Sequence, residues 1–440
     1  MFVEPIFVIE FVKRAVGMEQ LEFVEFLVLV GDACRGARRL RFVRFILQLR
    51  RLIRVRRIHS RERPDWRDKA NKLGFSFHSP GGEPYWDESA FYGFSLREIE
   101  LGIEAAAQDL HQLCLQLVDR VVRDERLLKR LAIPQFAWSY IAESWRRKDP
   151  SFYGRFDFSF DGRGPAKMLE YNADTPTSIY EAAVFQWYWL EDCIANGTLT
   201  RSSDQFNSLH EQLVARWREV AQGKPLHVAS YPDDLEDRGT VAYLEDCARQ
   251  AGLRTQFIAI NDIGLDGSGD FVDLDENEIA LMFKLYPWEW MFRDAFGKSL
   301  PRASTRFVEP PWKAILSNKG ILPLLWEMAP GHPNLLPAYF EDDPRRGEIG
   351  AEYVIKPIYS REGANVTLVD SMRMIQGDAG PYGAEGLVRQ ALAKLPQFDG
   401  NYPVVGAWIV GDLACGMGIR EDKSPITKNT SRFLPHAIIG

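Results

Sequence analysis

Strand-like and helix-like segments alternate between residues 227 and 285, and this alternation constrains the fold more than any other feature of the chain. Residues 227–231, 254–260 and 279–285 are short apolar runs typical of strands, and residues 236–250 have helical spacing. A strand, a helix and a second strand in succession usually join parallel neighbours, so the pattern predicts a small parallel sheet covered by helices. The expected fold class is therefore α/β (α+β), and 440 residues with 46% hydrophobic content allow two or three packed units.

A second pattern places polar side chains on one face of two extended segments. Arg155 and Asp157 alternate on the first segment, and Glu170, Asn172 and Asp174 alternate on the second. Alternate side chains of a strand share a face, so a hairpin of the two segments would gather Asp157, Glu170 and Asn172 into a cluster of hard oxygen ligands suited to Mg²⁺. The equally weighted alternative is a polar network that only caps a turn.

Cations in strand or turn contexts complement these carboxylates. Lys356 interrupts the apolar run 353–358, where a charge needs a partner, and Lys319, Arg361 and Arg420 occupy similar contexts. Phosphoryl transfer requires cations that neutralise phosphate oxygens and carboxylates that hold Mg²⁺. The chain has neither a GxxxxGKS/T run nor a GxGxxG after a strand, so neither a P-loop nor a Rossmann dinucleotide site is supported. The residues favour nucleotide-dependent chemistry over a hydrolase that uses the same carboxylates.

Charge is distributed unevenly along the chain. The formal net charge of −7 combines +7 in residues 1–63 with −14 in the remaining 377 residues. The acidic main body argues against nucleic acid as a partner. Residues 1–63 are interpreted as a poorly ordered basic extension, because globular signals begin at Pro64. The alternative is a basic amphipathic helix over residues 35–57 that binds an anionic membrane or RNA.

The cysteines and the first thirty residues bear on the compartment. Glutamates interrupt every long apolar run in residues 1–30, so no membrane span is expected there. No CxxC pair occurs, which is typical of reduced thiols in a cytoplasmic protein rather than of a disulfide framework or a zinc site. The five scattered cysteines are Cys34, Cys114, Cys193, Cys247 and Cys415.

Two further segments bear on a ligand site. The acidic run 233–237 follows the first strand of the predicted parallel sheet, at the edge where α/β sheets commonly bind ligands. Its alternative role is stabilisation of the following helix by acids at the N-terminus. Residues 286–290, with the sequence YPWEW, are interpreted as a packing corner rather than a catalytic element.

Several long motifs occur in a characteristic order along the chain. They are residues 84–88 (PYWDE), 170–178 (EYNADTPTS), 284–290 (KLYPWEW), 318–319 with 325–327, 356–358 with 361–366 (REGANV), and 416–421 leading to 427–433. With these motifs the chain resembles the synthetase domain of the glutathionylspermidine synthase family. The resemblance covers nearly everything from Trp66 to the C-terminus.

The resemblance implies an ATP-grasp fold and an ATP-dependent carboxylate–amine ligase that forms an amide through an acyl phosphate. ATP and Mg²⁺ are then the expected cofactors. Lys319 and Lys356 would contact ATP, and Arg361 would stabilise the transferring phosphoryl group. The residues that match the family's magnesium ligands are Asp157, Glu170 and Asn172.

The same resemblance implies a site for two small-molecule substrates, a peptide or other acid and an amine or polyamine. Arg155, Thr175 and Thr177 would line the carboxylate-substrate site, and Glu236 with Asp237 would recognise the peptide. The family carries serines where Thr175 and Thr177 stand, and two glutamates where Glu236 and Asp237 stand. These departures leave the identity of both substrates open.

The expected organisation has four parts. They are a basic extension in residues 1–63, an N-terminal part with the hairpin in residues 64–200, a small α/β pre-ATP-grasp domain in residues 201–300, and an ATP-grasp nucleotide-binding region in residues 301–440. The chain has no room for the amidase domain of the bifunctional family members, so no hydrolysis of the product is expected. A catalytically silent ATP-binding regulatory protein is the alternative, and the oligomeric state stays open.

Overall fold

The computed structural model describes residues 55–371, 373–428 and 430–439. Cys34, the predicted helix over residues 35–57 and most of the predicted basic extension lie outside these residues or at their margin. Val55–Gly440 forms one compact unit.

Nineteen strands occur among the described residues. They are β1 Arg56–His59, β2 Ala90–Phe94, β3 Tyr153–Ser159, β4 Lys167–Asn172, β5 Leu226–Ser230, β6 Thr255–Ala259, β7 Gly264–Leu265, β8 Phe271–Val272, β9 Leu281–Lys284, β10 Arg306–Val308, β11 Ala338–Phe340, β12 Tyr353–Pro357, β13 Thr367–Asp370, β14 Arg373–Gln376, β15 Leu387–Ala391, β16 Tyr402–Val410, β17 Leu413–Asp422, β18 Arg432–Leu434 and β19 His436–Ile438.

The helices pack on the sheets, and all the α-helices among the described residues precede β11 in the chain. The α-helices are Trp66–Lys72, Ala105–Val121, Glu125–Arg130, Trp138–Arg146, Gln186–Ala195, Leu209–Ala221, Leu235–Gln250, Trp288–Met291, Lys313–Leu316 and Ile321–Met328. Two π-helical turns, Glu98–Glu104 and Glu181–Phe185, lead into the helices that follow them.

The predicted parallel sheet is present. Its order is β10-β9-β5-β6, and all three neighbouring pairs are parallel. The helix Leu235–Gln250 joins β5 to β6, as the alternation in residues 227–285 predicts. The fold class, mixed α/β with several sheets including a parallel one, is confirmed.

A five-stranded antiparallel sheet of order β18-β17-β16-β3-β4 carries the polar hairpin. It combines β3 and β4 with strands that follow residue 400, so the predicted segments 64–200 and 301–440 share one sheet. The sequence does not show this pairing, because the register between strands more than two hundred residues apart leaves no local pattern. A second five-stranded sheet, of order β11-β15-β12-β13-β14, contains Lys356 on its central strand β12.

The fold begins before the predicted start at Pro64. Strand β1 pairs with β2 in a three-stranded sheet of order β1-β2-β19, so the two ends of the described chain meet. Arg57 in β1 forms an ion pair with Glu421 at 2.8 Å. The sequence analysis does not predict β1, because a half-buried strand rich in arginine has the same local pattern as a basic amphipathic segment.

Two apolar clusters hold these layers together. One surrounds the long helix Ala105–Val121, and the other surrounds the buried Trp189 and Trp217. The four cysteines among the described residues are free and buried. No helix in the described ranges is long and apolar enough to cross a membrane.

Candidate active site

The hairpin of β3 and β4 forms the floor of the candidate site. The two strands are antiparallel, with Asp157 opposite Glu170 and Arg155 opposite Asn172. The Asn172 amide nitrogen donates to Asp157 Oδ2 and to Glu170 Oε1, each at 3.2 Å. The predicted pairing of the two segments is therefore confirmed, and the three predicted oxygen ligands lie together.

Arg155 is held rigidly beside this cluster. Its guanidinium donates to Asp157 Oδ1 at 2.7 Å and to Asp157 Oδ2 at 3.0 Å, and its third bond goes to the carbonyl of Thr177 at 2.7 Å. A Cβ at Gly406 on the neighbouring strand would lie 2.8 Å from Arg155 Cδ, so the close approach requires glycine. Burial opposes the charge of Arg155, but Asp157 outweighs burial and raises the pKa of the guanidinium.

Two lysines face the hairpin from the other half of the chain. Lys319 Nζ lies 3.0 Å from Glu170 Oε2 and donates to the carbonyl of Ser360 at 2.7 Å. Lys356 Nζ donates to the carbonyl of Leu169 and to Gln390 Oε1, both at 2.8 Å. Lys319 therefore pairs with the carboxylate of Glu170, and Lys356 lies on the same cavity, bound to the backbone of the residue before Glu170. Gln390 is a polar partner that the sequence analysis does not predict.

The pKa values of these groups follow from their packing. Burial raises the pKa of Glu170, but the charges of Lys319 and Lys356 outweigh it and bring the pKa to about 2. Burial lowers the pKa of Lys356 to about 8, and Glu170 limits the decrease. Glu170 is thus ionised throughout the neutral range, and Lys356 begins to lose its proton just above it.

Arg361 is fixed by a residue that the sequence analysis did not predict. Its guanidinium donates to Thr175 Oγ1 and to Glu289 Oε1, both at 2.8 Å. Residues 286–290 are interpreted from the sequence as a packing corner, and the structure adds that the Glu289 side chain, 6% exposed, pairs with Arg361. The sequence signal that could have indicated this contact is the single carboxylate within an aromatic run, because a buried charge requires a cation as its partner.

Asp174 does not join the hairpin cluster, although alternation had placed it on the same face. Its Oδ1 pairs with Lys284 Nζ at 2.6 Å, and its Oδ2 accepts from the backbone N–H of Trp288 at 2.8 Å. Alternation fails here because β4 ends at Asn172. Through its bond to Trp288, Asp174 anchors the turn that carries Glu289. Asp174 therefore helps to position the carboxylate that pairs with Arg361.

The acidic pair Glu236 and Asp237 lies in the first turn of the helix Leu235–Gln250. Asp234 caps this helix by accepting from the N–H of Asp237 at 3.0 Å. Burial, then the charges of Asp234 and Glu236, raise the pKa of Asp237 to about 7. Burial also raises the pKa of Glu236. A hydrogen bond with the side chain of Thr177 opposes this increase. Thr177 therefore links the acidic pair to Arg155.

Two cavities meet at Glu170, Lys319 and Ser360. The smaller, of about 20 Å³, is lined by Asn172, Thr175, Glu289 and Arg361 as well. The larger, of about 400 Å³, has polar groups at the hairpin end and apolar walls beyond them. Those walls include Val354, Leu368, Ile375, Leu392, Val404 and Ile426.

All the residues predicted for the nucleotide border these two cavities. Arg420, the fourth cation of the sequence analysis, lines a small cavity with Arg155 and Asp157, and this cavity adjoins the larger one at Asp157, Val404 and Thr427. No group of three or more His, Cys, Asp or Glu side chains suited to a metal ion occurs within the described ranges.

Comparison with known proteins identifies the family of the chain. The family model "Glutathionylspermidine synthase preATP-grasp" matches residues 57–439. The chain belongs to the glutathionylspermidine synthase family. The match begins within β1, which agrees with a fold that starts before Pro64.

Curated relatives share most of this chain. A "Putative acid--amine ligase" of Haemophilus influenzae is 40% identical over 392 residues, covering 86% of this chain and 98% of the relative. Trypanothione synthetase of Crithidia fasciculata is 29% identical and covers 76% of this chain, and the bifunctional glutathionylspermidine synthetase/amidase of Escherichia coli is 26% identical and covers 85%. The chain spans 55% and 63% of the length of these two relatives. By family, the chain is an acid–amine ligase.

Proposed function

We propose that the chain uses ATP and Mg²⁺ to join the carboxylate of a small peptide or acid to an amine through an acyl phosphate. The observation that supports this most strongly is that Lys319 and Lys356 line the same cavity as Asp157 and Glu170 of the acidic hairpin. Phosphoryl transfer depends on positioned positive charge and on oxygen ligands for the metal, and this cavity supplies both.

The nucleotide fits the larger cavity. Its apolar walls suit a base, and Lys319 and Lys356 at the hairpin end suit the phosphates. Asp157, Glu170 and Asn172 fit Mg²⁺, because sites of this kind use one or two carboxylates and take their other ligands from substrate phosphates and water. Bound there, Mg²⁺ would neutralise charge on the phosphate oxygens.

The acid substrate fits beside the hairpin. Arg155 and Thr175 would orient its carboxylate, and Arg361 would stabilise charge that develops on the transferring phosphoryl group. Glu236 and Asp237 carry raised pKa values, because burial and neighbouring carboxylates outweigh the charges of Arg420 and Arg361. An ammonium group on the acid substrate would relieve that repulsion, which suits recognition of a peptide.

The proposed reaction has two steps. A carboxylate oxygen of the acid attacks the γ-phosphorus of ATP, the bond to the bridging oxygen breaks, and ADP leaves. The amine nitrogen then attacks the acyl carbon, the carbon–oxygen bond to phosphate breaks, and the nitrogen loses a proton. The products are an amide, ADP and phosphate.

The domain assignment follows from the same proposal. Residues 201–300, which hold three of the four strands of the parallel sheet, would be the pre-ATP-grasp domain, and residues 301–440 would supply most of the nucleotide site. The fourth strand, β10, extends the sheet beyond the expected boundary at residue 300. We place the enzyme in the cytoplasm, on the basis of its free, buried cysteines.

The test measures ADP formed by the full-length chain with a matrix of acids and amines that includes glutathione, other small peptides, spermidine and simple diamines. ADP is expected only where an acid and an amine are both present. Arg361→Ala should abolish that signal, and Arg345→Ala, which changes an exposed arginine paired with Asp343, should preserve it. ADP release without either substrate, or none across the whole matrix, would contradict the proposal.

A further inference from the structure

Glu181 is a fully buried carboxylate for which the steps derived so far have no use. Its Oε1 accepts a hydrogen bond from the hydroxyl of Tyr85 at 2.5 Å, and its Oε2 has no hydrogen-bond partner among the described residues. A buried oxygen without a partner costs stability, so the fold keeps this carboxylate at a cost. Glu181 also begins the π-helical turn that ends at Phe185, and such turns occur frequently at functional sites.

Ser178 connects this carboxylate to the candidate site. The Ser178 hydroxyl lies 3.0 Å from the hydroxyl of Tyr85 and lines the small cavity that also holds Arg155 and Asp157. A tyrosine hydroxyl has a single hydrogen, and Tyr85 donates it to Glu181. Ser178 must therefore donate to Tyr85, which leaves the lone pairs of Ser178 Oγ available to a donor in the cavity.

The backbone and the cavity both favour a functional role for Ser178. Its φ of 68° lies in the left-handed region, which L side chains rarely adopt and which is found preferentially at active sites. The small cavity, of about 10 Å³, has room for about one water-sized group, such as a reacting nitrogen. Because this cavity adjoins the larger one, the three side chains form a hydrogen-bonded path from the proposed reaction centre into the core.

The groups that face Glu181 give it the acidity of a usable base. They are Tyr85, Tyr180, Glu236 and Arg420. Burial, then the charge of Glu236, raises the pKa of Glu181 to about 7, although the bond from Tyr85 and the charge of Arg420 oppose the increase. A base with a pKa near the working pH accepts and returns a proton readily.

We propose that Ser178, Tyr85 and Glu181 form a relay that accepts the proton lost by the amine nitrogen when it attacks the acyl carbon. The inference rests on the proposed function, because it supplies the proton acceptor that the second step of that reaction needs. Ser178 contacts the reacting nitrogen, and Tyr85 and Glu181 act through it.

The transfer conserves every proton along the relay. The nitrogen–hydrogen bond breaks as Ser178 Oγ takes the proton, Ser178 passes its own proton to the oxygen of Tyr85, and Tyr85 passes its own to Glu181 Oε1. The nitrogen has then lost one proton and Glu181 has gained one. After the amide leaves, the carboxyl group returns its proton along the same bonds to water.

The test compares the two steps of the reaction in the full-length chain and in Glu181→Gln. Amide formation is measured with the acid and amine that form ADP fastest in the matrix. Activation alone is measured by replacing that amine with hydroxylamine, which is uncharged at neutral pH and converts acyl phosphates to hydroxamates without an enzyme. Glu181→Gln should lower the rate of amide formation about 100-fold and keep hydroxamate formation within about twofold of the wild-type rate.

The pH profile gives a readout that a merely structural role would not change. With both substrates saturating, kcat of the wild-type chain should rise with pH through about 7, because only the ionised Glu181 accepts a proton. Glu181→Gln should lose this rise. A rise of equal size in both chains would overturn the relay.

Two tyrosine variants separate the relay from general packing. Tyr85→Phe removes the middle hydroxyl and keeps the ring, so it should slow amide formation as much as Glu181→Gln, and the double variant should be no slower. Tyr180→Phe is the matched control, since its hydroxyl belongs to a neighbouring tyrosine but donates to the carbonyl of Leu73 at 2.7 Å. It should leave both rates unchanged.

The remaining outcomes distinguish this inference from the proposed function. Additive losses in the double variant, or hydroxamate formation that falls as much as amide formation, would overturn the relay and leave the ligase intact. An active wild-type chain whose amide formation neither Glu181→Gln nor Tyr85→Phe alters would do the same. A wild-type chain that forms no ADP with any acid and amine would instead overturn the proposed function, and the relay with it.

Discussion

At the scale of single residues, the position of Arg361 depends on two partners that reach it from different parts of the chain. Thr175 follows the hairpin, and Glu289 belongs to the turn that Asp174 anchors. Oε2 of Glu289 and Nε of Arg361 are buried and have no hydrogen-bond partner among the described residues. Buried polar atoms of this kind indicate a site that a ligand completes.

Glu289→Gln should lower kcat for ADP formation by roughly 10- to 100-fold with little change in the KM for ATP. Glutamine keeps an acceptor for Arg361 but loses the charge that holds the guanidinium in place. Steady-state kinetics would measure the change, with Glu385→Gln as the control because Glu385 pairs with the exposed Arg293. Equal kcat values for the wild-type chain and Glu289→Gln would show that this carboxylate does not position Arg361.

Mg-ATP binding should weaken as the pH rises above about 8, the pKa of Lys356. The free enzyme loses the Lys356 proton there, whereas bound phosphates would raise the pKa and retain the proton. Above this pH the enzyme takes up one proton when it binds Mg-ATP, so its affinity for Mg-ATP falls by up to tenfold per pH unit. Titrations between about pH 7 and pH 9 measure this effect, which Lys356→Arg should remove because arginine stays charged. A flat profile for the wild-type chain would contradict the role given to Lys356.

The residues that the sequence predicts well are those set by local alternation. Arg155 and Asp157 share a strand face, as do Glu170 and Asn172, and a period of two residues is visible in any sequence. Glu289 and Gln390 are different, because their partners lie more than thirty residues away. Only the fold reveals such pairings.

At the scale of elements, the sheet β1-β2-β19 joins the two ends of the described chain. The link is electrostatic as well as hydrogen-bonded, since the Glu421 side chain on β17 is fully buried and accepts from Arg57, Tyr92 and Arg432. The bond to Glu421 is the main reason that the pKa of Arg57 is raised. This cluster fixes β1 against the antiparallel sheet.

Arg57→Ala should lower the free energy of unfolding by about 1–3 kcal/mol, because the buried carboxylate of Glu421 loses one of its two cations. Arg56→Ala changes an exposed residue of the same strand and should stay within about 0.5 kcal/mol of the wild-type chain. Urea denaturation of both variants gives the comparison. Equal losses in the two variants would mean that the ion pair with Glu421 contributes nothing specific.

Three strands of the parallel sheet, β5, β6 and β9, and the helix between β5 and β6 could be predicted to within about two residues, because each has its own period and the chain alternates between the two kinds. The fourth strand, β10, is three residues long and is not predicted. The two-residue strands β7 and β8 could not be predicted either, since such short strands leave no pattern. Strand β1 was missed for the opposite reason. Its arginines continue a longer basic pattern, and only the contact with Glu421 distinguishes it.

At the scale of the whole molecule, the site exists only where distant parts of the chain meet. The hairpin supplies Glu170, the helix-rich segment before residue 330 supplies Lys319, and β12 supplies Lys356. The motifs that contain these residues indicate the family of the chain, which the family match over residues 57–439 confirms. The position of the three residues on one cavity depends on how the strands pair, which the order of motifs along the chain does not contain.

The central claim is that ATP activates the acid substrate as an acyl phosphate at the cavity lined by Glu170, Lys319 and Lys356. The most direct measurement uses an acid labelled with ¹⁸O in its carboxylate, with an amine that supports ADP formation and mass spectrometry of the released phosphate. We expect one ¹⁸O atom to pass from the carboxylate to each phosphate, because the carbon–oxygen bond breaks when the amine attacks. Amide formation with unlabelled phosphate would contradict the account.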